Sequence, residues 1–212
     1  MRVSRANALA IAASLALTGC IGGGAALLQQ FPALAPKSVA VSGGEVIVQG
    51  PSGFCVDPRS RREGDGTSFA MLGACSSIAN SARADRPSQP AVLSVAVSDP
   101  GELIVADAWL SMQDFLATEA GRASLARDGN AASVEPPEVR LIDEVLVVTA
   151  RDTSPAPADA LDSTYWRGIF NLGDRIVTVS VYAHDEQALS DSTALRLLFD
   201  FVGSIRNANN AA

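Results

Sequence analysis

The sequence predicts an α+β domain in which a mostly antiparallel sheet packs against two helices. Short β-rich runs separated by turn residues occupy most of the chain after residue 38, as in antiparallel sheets. Two apolar patterns of helical period, one after each set of strands, supply helices that can cover the sheet. With 48% hydrophobic and 18% charged residues, the chain has enough apolar side chains to bury a core.

The N-terminus has the pattern of an export signal peptide, which is expected to form a helix before it is cleaved. Arg2 and Arg5 precede an apolar run over residues 6–17, which ends at the small pair Thr18-Gly19. This run is about a dozen residues long, whereas a permanent transmembrane helix needs roughly 20. We therefore predict that residues 1–19 are removed.

The junction Leu17-Thr18-Gly19-Cys20 resembles the lipobox of bacterial lipoproteins. The resemblance implies that Cys20 carries a thioether-linked diacylglycerol and that the leader is cut before it. It also implies acylation of the new N-terminus, for example with palmitate, and more than one acyl chain gives stable membrane attachment. Ile21 stands where an Asp would favour inner-membrane retention, so the expected location is the outer membrane, facing the periplasm. The alternative is an ordinary signal peptide with a Cys at its cleavage site.

The segment after the lipobox is predicted to be a flexible tether. Residues 20–37 contain a glycine run and two prolines, which disfavour a packed element. The pattern places a single α+β domain over residues 38–206, because no linker composition interrupts it. Residues 207–212 are expected to fray.

The first half of the domain is predicted to be mainly strands. Ser42-Gly43-Gly44 is typical of a tight hairpin turn, and the nearly continuous apolar run at 91–97 is typical of a central strand. Residues 57–66 and 79–90 are polar loops. The predicted strands cover residues 39–41, 45–49, 54–56, 67–75, 91–97 and, more briefly, 103–105.

The second half is predicted to contain two helices and an antiparallel meander. Ser111 and Asp114 form a capping-box pattern at the start of a helix that extends to Leu125. A last helix begins at Ser190 or Ser192 and carries an apolar stripe. The predicted strands are 139–141, 145–149, 165–172 and 176–183, and the last two alternate apolar and polar residues.

The C-terminal part resembles PsbP/Mog1-like domains. The resemblance rests on the strand pair from Tyr165 to Tyr182 and on the helix segment Leu195–Ile205, about a fifth of the chain. It implies an antiparallel sheet between helices and a role as a binding or assembly module. The matched positions are structural, so the resemblance assigns no functional residue.

The cysteines suggest an oxidising compartment. With Cys20 assigned to lipid, Cys55 and Cys75 remain as an even pair in a space where disulfides persist. A bond between them would close a loop of about 20 residues and stabilise the fold by roughly 3 kcal/mol. The redox-active alternative normally uses a close Cys-x-x-Cys pair, which these residues do not form.

Motifs for catalysis, metals and cofactors are missing from the sequence. His184 is the single histidine, so a His-rich metal site cannot be built, and no nucleophile motif or Gly-rich phosphate loop is present. Asp143-Glu144 and Asp185-Glu186 could act as acid–base pairs but are typical of solvated turns. We therefore assign no catalytic residue, no metal and no cofactor. Tyr165 and Trp166 are either core residues or an aromatic ligand platform.

The loop at 57–66 is the candidate partner-docking segment. Arg59, Arg61 and Arg62 could grip a carboxylate or a lipid phosphate. Three neighbouring acids neutralise them, so the alternative is a self-paired surface loop.

Charge and composition limit the function to two classes. The formal charge of −7, or −9 once Arg2 and Arg5 are removed, disfavours nucleic-acid binding. The expected function is that of a non-catalytic envelope lipoprotein, attached to the membrane through Cys20, which binds or assembles with an envelope protein. The alternative is a hydrolase that acts on envelope material through carboxylates brought together by the fold.

Overall fold

The computed structural model describes residues 35–64, 66–101, 103–104, 108–155 and 161–210. These residues contain four α-helices: Cys75–Ile78 (α1), Ala108–Ala117 (α2), Glu119–Leu125 (α3) and Asp191–Asn210 (α4). The strands are Ser38–Val41 (β1), Val46–Gln49 (β2), Phe54–Val56 (β3), Arg62–Gly64 (β4), Thr67–Ala74 (β5), Ala91–Ser98 (β6), Glu138–Ile142 (β7), Val145–Arg151 (β8), Leu161–Leu172 (β9) and Arg175–His184 (β10). The predicted signal-peptide helix and lipobox lie outside the described residues.

Eight strands form one antiparallel sheet, which confirms the predicted α+β class. The strand order is β3-β5-β6-β10-β9-β8-β7, with β4 paired to β5, and β1 and β2 form a separate hairpin. The run at 91–97 is β6, which pairs with β5 on one side and β10 on the other, as expected for a central strand. Strands from both halves of the chain therefore share one sheet.

One face of the sheet, which we call the front face, carries the main core. Val95 of β6 and Val179 of β10, which point to this face, are at most 1% exposed. They belong to one apolar cluster with Leu198, Phe201 and Ile205 of α4 and with residues of the β1–β2 hairpin. The predicted stripe of the last helix thus packs on the sheet, and Ser190 caps that helix by accepting the Thr193 N–H at 3.3 Å.

The opposite face, the back face, is covered at one end by α2 and α3. Leu116 and Leu125 of these helices pack against Leu146, Val148 and Tyr165 of β8 and β9. This second cluster is smaller than the first and lies on the β7–β8–β9 side of the sheet, with Tyr182 of β10 packed at its edge.

The helix predicted over residues 111–125 is in fact two helices. Thr118 is extended, with φ −74° and ψ 168°, and its hydroxyl accepts the Gly121 N–H at 3.1 Å. Thr118 therefore caps α3, whereas Ser111, the predicted cap, lies inside α2. Gly121 allows the sharp bend, because a Cβ there would lie 2.0 Å from the carbonyl oxygen of Phe115.

Three smaller expectations were wrong. Leu103 and Ile104 are not a strand; the side-chain amide of Asn171 bonds both the N–H and the C=O of Ile104, at 3.1 and 2.8 Å. The loop at 57–66 contains the short strand β4. Residues 207–210 do not fray but stay helical, and the side chain of Asn209 pairs with the backbone of Ile47. Val105 and residues 211–212 lie outside the described residues.

Candidate functional site

The predicted disulfide between Cys55 and Cys75 is confirmed. Cys55 lies on β3 and Cys75 begins α1 directly after β5, with their Cα atoms 4.7 Å apart. The two residues are 1% and 3% exposed. Thiol exchange needs access to a sulfur atom, so this buried bond is suited to stapling two strands rather than to redox chemistry.

The arginines of the 57–66 loop bond within the loop itself. Arg59 pairs with Asp57 at 3.2 Å, and Arg61 pairs with Glu63 at 3.0 Å. Arg62 donates to the carbonyl of Ser60 at 3.5 Å. The hydrogen bond from Arg61 is the main reason that the pKa of Glu63 lies below its usual value. This geometry matches the self-paired alternative, in which no arginine of the loop is reserved for a ligand.

The other polar residues singled out from the sequence lie at turns. Asp143 and Glu144 connect β7 to β8 with φ values of 47° and 60°, the left-handed pair that a tight two-residue hairpin requires. His184 ends β10 and forms a backbone bridge with Gln187 across the turn at Asp185 and Glu186. The structure therefore brings none of these groups together in one site.

Tyr165 and Trp166 are buried members of the two cores. The hydroxyl of Tyr165 donates to the carbonyl of Leu125 at 2.9 Å, and its burial raises the pKa to about 12. Trp166 packs on the front face, and its indole N–H donates to Asp191 at 2.6 Å. Of the two alternatives for these aromatic residues, the core position is the one observed.

The sequence analysis did not predict the buried ionic cluster that lies at the end of β8. Asp152 is 0% exposed and accepts the backbone N–H groups of Arg127 and Ser154, both at 2.9 Å. The Arg127 side chain lies 3.2 Å from the same carboxylate and donates to the carbonyls of Asp152 and Ser154. The only local signal was an Asp two residues before a Ser, which is typical of an Asx turn. Both carboxylate oxygens are occupied, so the cluster holds the chain rather than a substrate.

Half of the back face has no helix of the described residues packed on it. We call it the open face; its members are the half-buried residues Phe69, Met71, Val92, Ser94, Ala96 and Thr178. None of the six belongs to either apolar cluster. The register aligns Met71 with Ser94 and Ser94 with Ser180, so the open face runs across β5, β6 and β10.

Arg167 lies beside the open face on β9. Its guanidinium carbon is 5.0 Å from the ring centroid of Tyr165, and its Nε donates to the hydroxyl of Ser180 at 3.2 Å. Ser180 is 2% exposed and lies in register with Arg167 across the β9–β10 pair. In the sequence, Arg167 is one of several polar residues of an alternating strand, and that pattern alone does not indicate its position beside the open face.

Three described cavities lie elsewhere. The largest, of about 480 Å³, is next to α1 and is lined by serines, Asn80 and Arg86. Two smaller ones flank α4 and the loop at 50–54, and the single carboxylate in their linings is Asp200. No group of three or more metal-ligating side chains occurs in the part of the chain that the structure describes.

Comparison of the chain with models of known protein families and with curated protein sequences gives no match. Among the described residues, no helix combines the length and hydropathy needed to cross a membrane. The fold and the residues that it brings together are therefore the basis for assigning a function.

Proposed function

We propose that this protein is an envelope lipoprotein that acts as a non-catalytic binding or assembly module on the periplasmic side of the outer membrane. The lipobox-like segment supports the anchor at Cys20 and the location. The buried disulfide is consistent with an oxidising compartment.

The observation that carries the binding role is the open face. A sheet that packs helices on both faces buries its apolar side chains, and exposed apolar surface of several residues is typical of interaction sites. Phe69, Met71 and Val92 are half-buried and lie together next to Arg167, on a part of the sheet that no helix of the described residues covers. In the arginine loop, by contrast, Arg59 and Arg61 are ion-paired with carboxylates of the loop, and Arg62 donates to a carbonyl of the loop.

The alternative, a hydrolase that depends on carboxylates, would require two carboxylates that face one cavity. The linings of the three described cavities contain a single carboxylate, and the buried Asp152 is already bonded to Arg127 and Ser154. The binding role therefore has the stronger support.

The anchor is tested with Cys20→Ser. We expect this variant to leave the membrane fraction and appear in the soluble fraction, because it lacks the acylated residue. Membrane association equal to that of the unmodified sequence would contradict the lipoprotein assignment.

The binding role is tested by crosslinking the tagged, lipidated protein in intact cells, followed by mass spectrometry. We expect one abundant envelope partner that is lost with Ser94→Arg, which places a long cation on the open face. Ser88→Arg is the matched control, because Ser88 is exposed in a loop beside α4. Recovery of the same bulk envelope proteins with all three sequences would contradict an assembly role.

A further inference from the structure

The strand β7 lies at one end of the strand order of the large sheet. Within the described residues, β8 is the one strand that pairs with it. At the other end, all three residues of β3 are buried, and the Val56 N–H donates to the carbonyl of Pro36 at 2.8 Å. Glu138 and Leu141 of β7, by contrast, are exposed. An edge strand with outward backbone groups is a template for another strand, so β7 is the edge suited to pairing.

The geometry of the β7–β8 hairpin decides which backbone groups face outward. Ile142 and Val145 flank a two-residue turn with two left-handed residues, the turn type that is closed by a hydrogen-bonded pair. Because such pairs alternate with non-bonded ones, the N–H and C=O groups of Val139 and Leu141 point away from β8. The exposed side chain of Gln113 donates to the Val139 carbonyl at 3.4 Å, a long bond that a second strand can replace.

Two opposite charges lie side by side on β7. Glu138 and Arg140 point to the front face, since Ile142, in phase with them, packs against the main core. Arg140 lies 3.4 Å from Glu138 and 3.6 Å from Asp191, whereas charge-assisted hydrogen bonds are about 2.7–2.9 Å long. Its Nε and Nη2 atoms have no hydrogen-bond partner within the described residues. The pairing of Arg140 is therefore loose enough to be shared with a further carboxylate at this edge.

The sequence of β7 is complementary to itself in one register. In a symmetric antiparallel pair, the residue on the two-fold axis defines the register. An axis at Glu138 or at Arg140 places two like charges directly opposite each other, which is destabilising. An axis at Leu141 places Val139 opposite Asp143, which lies in the turn with φ 47°. An axis at Val139 places Glu138 of each chain opposite Arg140 of the other, so both charges of each strand are paired.

Exposed apolar side chains lie beside the same edge, on the back face. Val139 packs against the back-face cluster, and Leu141, two residues further on, points the same way and is 52% exposed. Leu110 of α2 is 71% exposed and lies one turn before Gln113, the residue that reaches β7. A second copy at this edge would therefore cover apolar surface as well as backbone groups.

We infer that β7 is the interface of a symmetric homodimer, in which the β7 strands of two copies pair antiparallel about an axis at Val139. The two eight-stranded sheets then form one continuous sheet. This interface is separate from the open face, which lies on β5, β6 and β10. Dimerisation therefore goes beyond the proposed binding role, and either can fail without the other.

The first test measures self-association by sedimentation equilibrium. The full chain carries Cys20→Ser, so that lipid does not cause association. We expect a dimer with the native β7 sequence. Glu138→Arg and Arg140→Glu should each weaken dimerisation by about tenfold or more, because each places like charges opposite each other twice. An equimolar mixture of the two variants should dimerise again, because every arginine then faces a glutamate of the other chain.

Arg83→Glu is the matched control, because it makes the same charge change as Arg140→Glu at an exposed loop position outside β7. It should leave the dimer unchanged. A monomeric chain with native β7, or a dimer that neither β7 variant weakens, would overturn the inference.

The second test fixes the register and does not depend on the charge variants folding. Directly opposite residues of a non-hydrogen-bonded pair have Cα atoms about 4.5 Å apart, a distance that a disulfide spans. Glu138→Cys and Arg140→Cys, each in the Cys20→Ser chain and expressed together, should give a disulfide-linked dimer. Neither variant expressed alone should give one, because each thiol then faces an unchanged residue. A linked dimer from either variant alone, or none from the pair, would contradict an axis at Val139.

Discussion

The front and back faces of the sheet are built from the same strands but are covered to different extents. Along β6, Leu93, Val95 and Val97 point to the front face and are at most 1% exposed, whereas the alternate residues Val92, Ser94 and Ala96 are half-buried. Alternate residues of a strand point to opposite faces, so one short segment supplies both surfaces. The front face therefore holds most of the core, whereas no helix of the described residues covers the open half of the back face.

The largest expected effect compares one phenylalanine on each side. Phe201 of α4 is 0% exposed in the front core, and Phe201→Ala should lower the free energy of unfolding by about 3–5 kcal/mol. Phe69→Ala on the open face should cost about 1 kcal/mol or less, because Phe69 is only half-buried. Denaturant unfolding of both variants measures the difference. Equal losses would mean that the open face is packed as tightly as the front.

The next effect concerns the helices that cover part of the back face. Gly121→Ala places a Cβ against the Phe115 carbonyl and should cost about 1–3 kcal/mol or more, with separation of α2 from α3. Gly203→Ala in α4 meets no atom within 4 Å and should stabilise the protein by about 0.5–1 kcal/mol. Thermal unfolding of the two variants shows whether each substitution lowers or raises the stability of the protein. A stabilising Gly121→Ala would contradict the close contact at the bend.

Alkaline pH probes the covered part of the back face through Tyr165. Its pKa is raised to about 12 by burial, so the folded state favours the neutral phenol. This contribution is fully present below the unfolded pKa of about 10 and is lost as the pH rises toward 12, by about 2–3 kcal/mol in total. The control, Tyr165→Phe, should be less stable at neutral pH but less sensitive to this pH range. Identical alkaline slopes for both sequences would show that Tyr165 is accessible.

The smallest expected effect is at acid pH and comes from three surface carboxylates. The pKa values of Glu63, Asp85 and Asp128 are lowered mainly by hydrogen bonds from Arg61, from Lys37 and from the backbone N–H of Asn130, respectively. Each contributes stability above its unfolded pKa, and the contribution is lost as the pH falls through the lower folded value. Replacing all three with amides should flatten the decline in unfolding midpoint below pH about 4. If the unfolding midpoint declined at acid pH just as it does in the unmodified protein, the hydrogen bonds of these three carboxylates would be contradicted.

Local patterns in the sequence were sufficient for most of the fold. Strand alternation gave the β9–β10 hairpin, and the apolar stripe and capping serine gave α4, because each depends on residues near in sequence. The Cys55–Cys75 bond followed from cysteine count and compartment. The bend at Thr118 was missed because it depends on packing of α3 against the backbone of α2 at Gly121.

The candidate site was much less predictable from the sequence. Arg167 resembles any polar residue on an alternating strand, since its hydrogen bond to Ser180 and its place beside the open face depend on how the strands pair. The ionic pair of Arg127 and Asp152 joins residues 25 positions apart. Contacts of this kind depend on strand order, which periodicity alone does not supply.

The most direct test of the central claim, that half of the back face is open, is thiol labelling of Ser94→Cys against Val95→Cys. Both are made in a Cys20→Ser background, where the introduced thiol is the only one outside the Cys55–Cys75 bond. In the native protein, we predict that the thiol at position 94 reacts with a maleimide reagent far faster than the thiol at the buried position 95. Equal protection of the two thiols would contradict the account, since it would mean that another part of the protein covers the face.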